Sequence, residues 1–117
     1  MHPDTLLALS KRVADFAQER DWAQFHSPKN LASALVVEAG ELLEPFQWLT
    51  EAQSRSLSSE QLAAVTDEMA DVLLYLVQLA NALQVDLPKA ANEKITRNEQ
   101  RYPVEKAKGR STKQDAL

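Results

Sequence analysis

Residues 31–42 read LASALVVEAGEL and residues 61–72 read QLAAVTDEMADV, and the fold turns on where their acids fall. Each helical position advances about 100°, from 3.6 residues per turn. Glu38 therefore lands among Leu31, Ala34, Leu35 and Leu42, in the middle of an apolar stripe, with Glu41 at the stripe's edge. The second stretch repeats the arrangement: Glu68 projects among Gln61, Ala64, Val65, Val72, Tyr75 and Leu79, and Asp71 lies at the corresponding edge. Two helices thus point acid pairs at the place a core should occupy. Spacing of three residues keeps both acids of a pair on one face, so two facing helices could offer a compact all-oxygen cluster.

Unpaired ionised carboxylates are costly to bury, so such groups shift their pKa, pair with a cation or bind metal. Hard oxygen ligands suit Mg²⁺, with Mn²⁺ as a substitute. The plainer alternative is a solvated face, or ion pairs to Lys and Arg of another helix. A di-iron bundle site also uses inward Glu, but it expects Glu-x-x-His on two helices. Here His2 and His26 lie outside both helices.

Working outward, the sequence predicts an all-α fold of four helices. Asp4 can cap the first, which carries Leu6, Leu9, Val13, Phe16 and Ala17 at helical spacing as far as Glu19-Arg20-Asp21. Trp22 to His26 reads as a connecting loop. Ser27 and Pro28 start the second helix, because the hydroxyl accepts from an orphan amide and proline suits the first turn. Pro45 ends or kinks it near Glu44, leaving Phe46, Gln47 and Trp48 at a bend. Ser58 with Gln61 forms a capping box that opens a long third helix reaching about Leu83. Asp86 and Pro88 open a fourth, which Pro103 stops near Arg101. Residues 1–103 read as one domain and residues 104–117 as a polar, disordered tail.

Composition agrees and removes other chemistries. With only 2 glycines and sparse aromatics the 117-residue chain favours helices, and an apolar share of 44% can build a modest core. The net charge of −4 argues against a polyanion-binding surface, so no nucleic-acid polymer is expected as partner. The absence of cysteine excludes disulfides, thiolate catalysis and Cys-ligated metal. No leader-like start is visible and the longest apolar run, Val72 to Val77, cannot span a bilayer, so a cytoplasmic protein without membrane contact is expected.

Glu38-Ala39-Gly40-Glu41 and Glu68-Met69-Ala70-Asp71 resemble the E-x-x-E and E-x-x-D signature of the all-α NTP pyrophosphatases, the MazG-like superfamily. Around them, Glu19-Arg20-Asp21-Trp22, Phe25-His26, Pro28-Lys29-Asn30-Leu31, Phe46-Gln47-Trp48, Val85-Asp86-Leu87-Pro88 and Arg101-Tyr102-Pro103 are similar to the dCTP pyrophosphatase branch. The resemblance implies hydrolysis of a deoxynucleoside triphosphate to monophosphate and pyrophosphate, a house-cleaning activity on nucleotide pools. It implies Glu38, Glu41, Glu68 and Asp71 as metal ligands. One acid must also position the attacking water, and Glu38, the most centrally placed, reads as partly a base, with Glu38 and Glu41 the catalytic pair.

Lys94, Asn98 and Arg101 share one face of the fourth helix, a pattern that by itself reads as solvated surface. The resemblance assigns Lys94 and Asn98 to the triphosphate. It also assigns Trp22 and Trp48 to enclosure of the base, together with His26, Lys29, Tyr75 and Tyr102. One departure stands out: vertebrate relatives of the dCTP-specific type carry a base-pocket His near the position of Val13. That leaves dATP, dUTP or a base-modified dCTP open beside dCTP.

Met69, Leu73, Leu74 and Val77 face away from the acid stripe, more apolar surface than a small bundle can bury, so a homo-oligomer is expected. The resemblance implies a dimer or a dimer of dimers. Two competing readings are a non-catalytic helical interaction module, whose inward acids meet a partner's basic residues, and the same superfamily acting on another substrate such as phosphoribosyl-ATP.

Overall fold

The computed structural model describes residues 5–112, and among them it contains helices and no strand. The helices are α1 (Leu6–Glu19), α2 (Pro28–Leu43), α3 (Glu51–Ser54), α4 (Ser59–Leu83), α5 (Leu87–Arg101) and α6 (Val104–Ala107), with a 3₁₀ turn at Ala23–Phe25. The four long helices match the expected ones, and the all-α class stands. The single turns α3, α6 and Ala23–Phe25 were not foreseen, and α6 falls in the stretch expected to be disordered.

Caps explain where each helix starts. Ser27 accepts from the Asn30 amide with Pro28 in the first turn, and Asp86 accepts from the Lys89 amide with Pro88 similarly placed. Ser58 and Gln61 close a reciprocal capping box at the head of α4. A second capping box, Thr50 with Gln53, nucleates the four-residue α3. That signal was present in the sequence, but one turn of helix has no periodicity to reveal it. For α1 the cap is Thr5, whose side chain accepts from Ala8; Asp4, the expected cap, lies outside the described residues. The stop of α4 needs no glycine: Gln84 adopts φ 56° and ψ 43° and the Val85 amide returns to Ala80 O.

The chain divides into two compact units, one up to Val85 and one from Asp86 onward. In the first unit α4 is the central element, packed along α2 and, less extensively, along α1. Leu31 and Val77 are almost wholly buried, and Val13, Ala17, Val65 and Ala80 complete a thin core. Ser10 and Asn81 tie α1 to α4 reciprocally: the Ser10 hydroxyl donates to Asn81 Oδ1, and Asn81 Nδ2 donates to the Ser10 carbonyl at 3.1 Å.

That docking corrects one expectation. Val77 is 1% exposed and Leu74 half-buried, because α1 covers the side of α4 that was expected to face outward. What remains outside is a narrower seam of Leu62, Met69, Leu73, Leu76 and Leu83. Its spacings of seven, four, three and seven residues are those of a coiled-coil face. On α2, Val36 and Leu43 are also exposed. No helix among the described residues is long and apolar enough to cross a membrane.

In the second unit α5 presents an unbroken exposed surface from residue 91 to 101. Tyr102 ends it, half-buried, with its amide donating to Asn98 O at 2.8 Å.

Candidate functional site

The α2–α4 packing brings the predicted acids together. Glu38, Glu41 and Glu68 are half-buried, and each can place a carboxylate oxygen within 4.8 Å of the others. Asp71 does not join that tight set, yet it is close enough for its charge to act on both Glu38 and Glu68.

The electrostatics are those of a site lacking its counter-charge. Burial, a hydrogen bond with the Glu41 carboxyl and repulsion from Glu41, Asp71 and Glu68 together push Glu38 up to about 7. Glu68 is raised as well, by burial first and then by Glu41, Asp71, Asp67 and Glu44. No ion pair in the described residues involves any of the four acids: the salt bridges are Lys11–Asp15, Glu19–Arg20 and Glu51–Arg55, all exposed. Glu38 Oε2 and Glu68 Oε2 are shielded from solvent and accept no hydrogen bond. Buried carboxylate oxygens with neither donor nor cation are what hard-metal coordination requires, so Glu38, Glu41 and Glu68 could hold a metal ion. Among the described residues, ion pairing, the plainer alternative, has no partner for these acids.

The other expected site residues are placed more variously. Trp22 stands edge-on to Phe16 at 5.6 Å between ring centres, and the Arg20 guanidinium lies 3.7 Å over the same Phe16 ring. Trp48, beyond the end of α2, is 87% exposed. His26 is half-buried and lines a cavity of about 300 Å³ with Val13, Ala17, Leu31, Gln78 and Asn81. Lys29 is exposed in the first turn of α2, and Tyr75 is half-buried one turn beyond Asp71 on α4. Lys94 and Asn98 are exposed on α5, in the other compact unit.

Sequence reasoning missed Gln78. Its Oε1 is also shielded and without a partner, and it lines the cavity just described as well as a neighbouring one. An isolated polar residue in an apolar helix gives no pattern to mark it.

The sequence pattern of the MazG-like family matches residues 34–117. The chain is 47% identical over 111 residues to dCTP pyrophosphatase 1 of Rattus norvegicus, a match covering 93% of this chain and 65% of that protein. It is 46% identical over 115 residues to dCTP pyrophosphatase 1 of Homo sapiens, covering 97% and 68% respectively. The chain therefore spans about two thirds of the length of these relatives. Among solved structures it superposes on a pyrophosphatase from Archaeoglobus fulgidus with a TM-score of 0.80 at 33% identity, covering 88% of this chain and 96% of the other.

Proposed function

This chain belongs to the MazG-like family, and from that premise we propose that it is a Mg²⁺-dependent nucleoside triphosphate pyrophosphohydrolase. It converts a deoxynucleoside triphosphate to the monophosphate and pyrophosphate. The observation that carries this reading is the set of Glu38, Glu41 and Glu68 oxygens within 4.8 Å of one another, two of which, Glu38 Oε2 and Glu68 Oε2, are shielded and unpartnered. The name of the relatives, dCTP pyrophosphatase 1, supports the substrate class, and dCTP is the first substrate we propose. dATP, dUTP and base-modified dCTP stay in the substrate range because Val13 brings no hydrogen-bonding group.

Glu38, Glu41, Glu68 and Asp71 would hold the ions. A bound ion would supply neutralisation of the triphosphate and a lowered pKa for water, the nucleophile required at the α phosphorus with pyrophosphate as leaving group. The chain's own contribution is to bring Glu38, Glu41 and Glu68 together with the charge of Asp71 beside them. Glu38, the most centrally placed of the four acids, is the one we assign to receive the water's proton. Lys94 and Asn98 offer a cation and an amide one turn apart for phosphate oxygens. Trp22, Trp48, His26, Lys29, Tyr75 and Tyr102 complete the proposed substrate contacts.

The exposed seam on α4 supports a homo-oligomer, since its three- and four-residue spacing fits another helix and a second copy supplies one. Residues such as Trp48, open in the single chain, would then be covered by the neighbour. Light scattering should give a dimer or tetramer for the native chain and a monomer for Met69→Glu; a native monomer removes the assembly from the proposal.

The deciding experiment is pyrophosphate release from each common dNTP and NTP, with and without Mg²⁺, beside Glu41→Gln. Magnesium-dependent release lost in the variant supports the enzyme and ranks its bases. Absence of release from every nucleotide puts the non-catalytic helical module ahead.

A further inference from the structure

We propose that Arg20 is a positioning residue for the nucleotide: acting through Phe16, it fixes the ring of Trp22. This rests on the reading above that Trp22 contacts the substrate, and deepens it.

The backbone of Trp22 is held on both sides. Helix α1 ends at Glu19 and Arg20 caps it, after which Asp21 takes the left-handed conformation at φ 54°. Two bonds close the helix end: the Asp21 amide donates to Gln18 O at 3.0 Å and the Trp22 amide to Ala17 O at 2.9 Å. This is the Schellman arrangement, in which glycine usually occupies the left-handed place. An aspartate there is strained and persists only where its surroundings over-determine it. Gln24 does so, its Nε2 donating to Asp21 O at 3.0 Å and to Asp21 Oδ2 at 3.1 Å. The Trp22 carbonyl accepts from the Phe25 amide at 2.9 Å. With amide and carbonyl both engaged, the freedom left to Trp22 lies in its side-chain torsions.

Phe16 limits those torsions, and Arg20 holds Phe16. The two rings stand 5.6 Å apart at 73°. The Arg20 guanidinium lies 3.7 Å from the centre of the Phe16 ring, and its Nη1 donates to the Phe16 carbonyl at 3.1 Å. One side chain thus grips both the ring and the backbone of Phe16. Its pairing with Glu19 at 3.7 Å is exposed and adds little.

Exposure argues for a role beyond stability. Phe16 is 44% exposed and Trp22 46%, so the stack removes little apolar surface from water. What it does is hold a flat, solvent-facing indole in one orientation. A ring fixed before its ligand arrives loses no side-chain freedom on stacking, which strengthens binding. The gain applies equally before and during reaction, so it belongs to KM and leaves kcat alone.

The test is steady-state pyrophosphate release from the preferred dNTP by the native chain, Arg20→Met, Phe16→Leu and the double variant, with thermal melts to verify folding. Met keeps an unbranched stem and removes the cation and donor; Leu removes the ring and leaves the Arg20 charge. Arg20→Met should raise KM about two- to fivefold with kcat unchanged, the scale of one exposed cation–ring contact. Added to Phe16→Leu it should raise KM no further, because Arg20 acts through that ring. In a Trp48→Phe background Trp22 is the sole tryptophan, and there Arg20→Met should enlarge the fast loss of fluorescence anisotropy that reports ring motion. An unchanged KM or unchanged anisotropy in Arg20→Met, or a fall in kcat, overturns the inference. So do additive effects in the double variant, which would assign the Arg20 charge to the phosphates directly. Each of these leaves the nucleotide reading standing, whereas a native chain that releases no pyrophosphate overturns that reading and this inference with it.

Discussion

The inward side of α4 changes character along its length. Around Glu68 and Asp71 it faces the acids of α2, and the oxygens left without partners belong to crowded carboxyl groups. From Leu74 to Asn81 it meets α1 through apolar contacts and a reciprocal Ser10–Asn81 clasp, and the oxygen left over, Gln78 Oε1, is neutral. Both stretches leave a hydrogen-bonding deficit, but of different sizes. A neutral amide oxygen is satisfied by one donor, whereas several mutually repelling carboxylates need a cation. The first region trades stability for function, and the second mainly holds the bundle together.

The largest effect should come from weakening the charged stretch. Glu68→Gln should lower kcat/KM for the preferred dNTP about a thousandfold or more, the scale of several kcal/mol of lost metal assistance. The same substitution should raise the melting temperature of the metal-free protein, because it removes a raised, repelled acid. Lost activity together with lost stability would show that Glu68 is held by the fold and is not frustrated.

Metal addition probes the same contrast. A hundredfold excess of Mg²⁺ over its Kd should stabilise the native chain by about 2.7 kcal/mol, seen as an upward thermal shift. Glu41→Gln should blunt that shift, and Asn81→Ala should leave it intact. An equal response in both variants would mean that the ion binds elsewhere.

Acidity should act on the charged stretch alone. Glu38 has a folded value of about 7 against an ordinary 4.5, so between these values the folded chain holds more protons than the unfolded one. Its contribution to stability is full below about 4.5 and is lost as pH rises through about 7. Melts of metal-free protein should therefore show Glu38→Gln flattening the decline in melting temperature between those values. A decline of the same slope in the variant would assign it to other groups.

The smallest effect belongs to the neutral stretch. Asn81→Ala should cost about 1 kcal/mol, the usual net worth of a hydrogen-bonded contact, with kcat unchanged. A large loss of activity would mean that α1 docking positions the acids.

Much of this was legible in the residues. Ser27-Pro28, Ser58 with Gln61, and Asp86 with Pro88 marked three helix starts because capping is local chemistry. The acid pairs were visible because helical periodicity turns a one-dimensional spacing into a shared face. Thr50 and Gln53 were overlooked because a single turn has no periodicity, and Leu74 and Val77 were misplaced because only docking of α1 decides which side of a uniformly apolar helix is covered.

The sequence by itself determined the all-α class, the long helices and the four acids, since these follow from interactions within a few residues of chain. Only the tertiary structure decided that Glu38, Glu41 and Glu68 form the tight set while Asp71 acts from its border. It also decided that Gln78 Oε1 is sealed without a partner. Distances between helices depend on how their side chains interlock, and burial depends on which neighbour arrives, so neither can be read from periodicity along one strand of sequence.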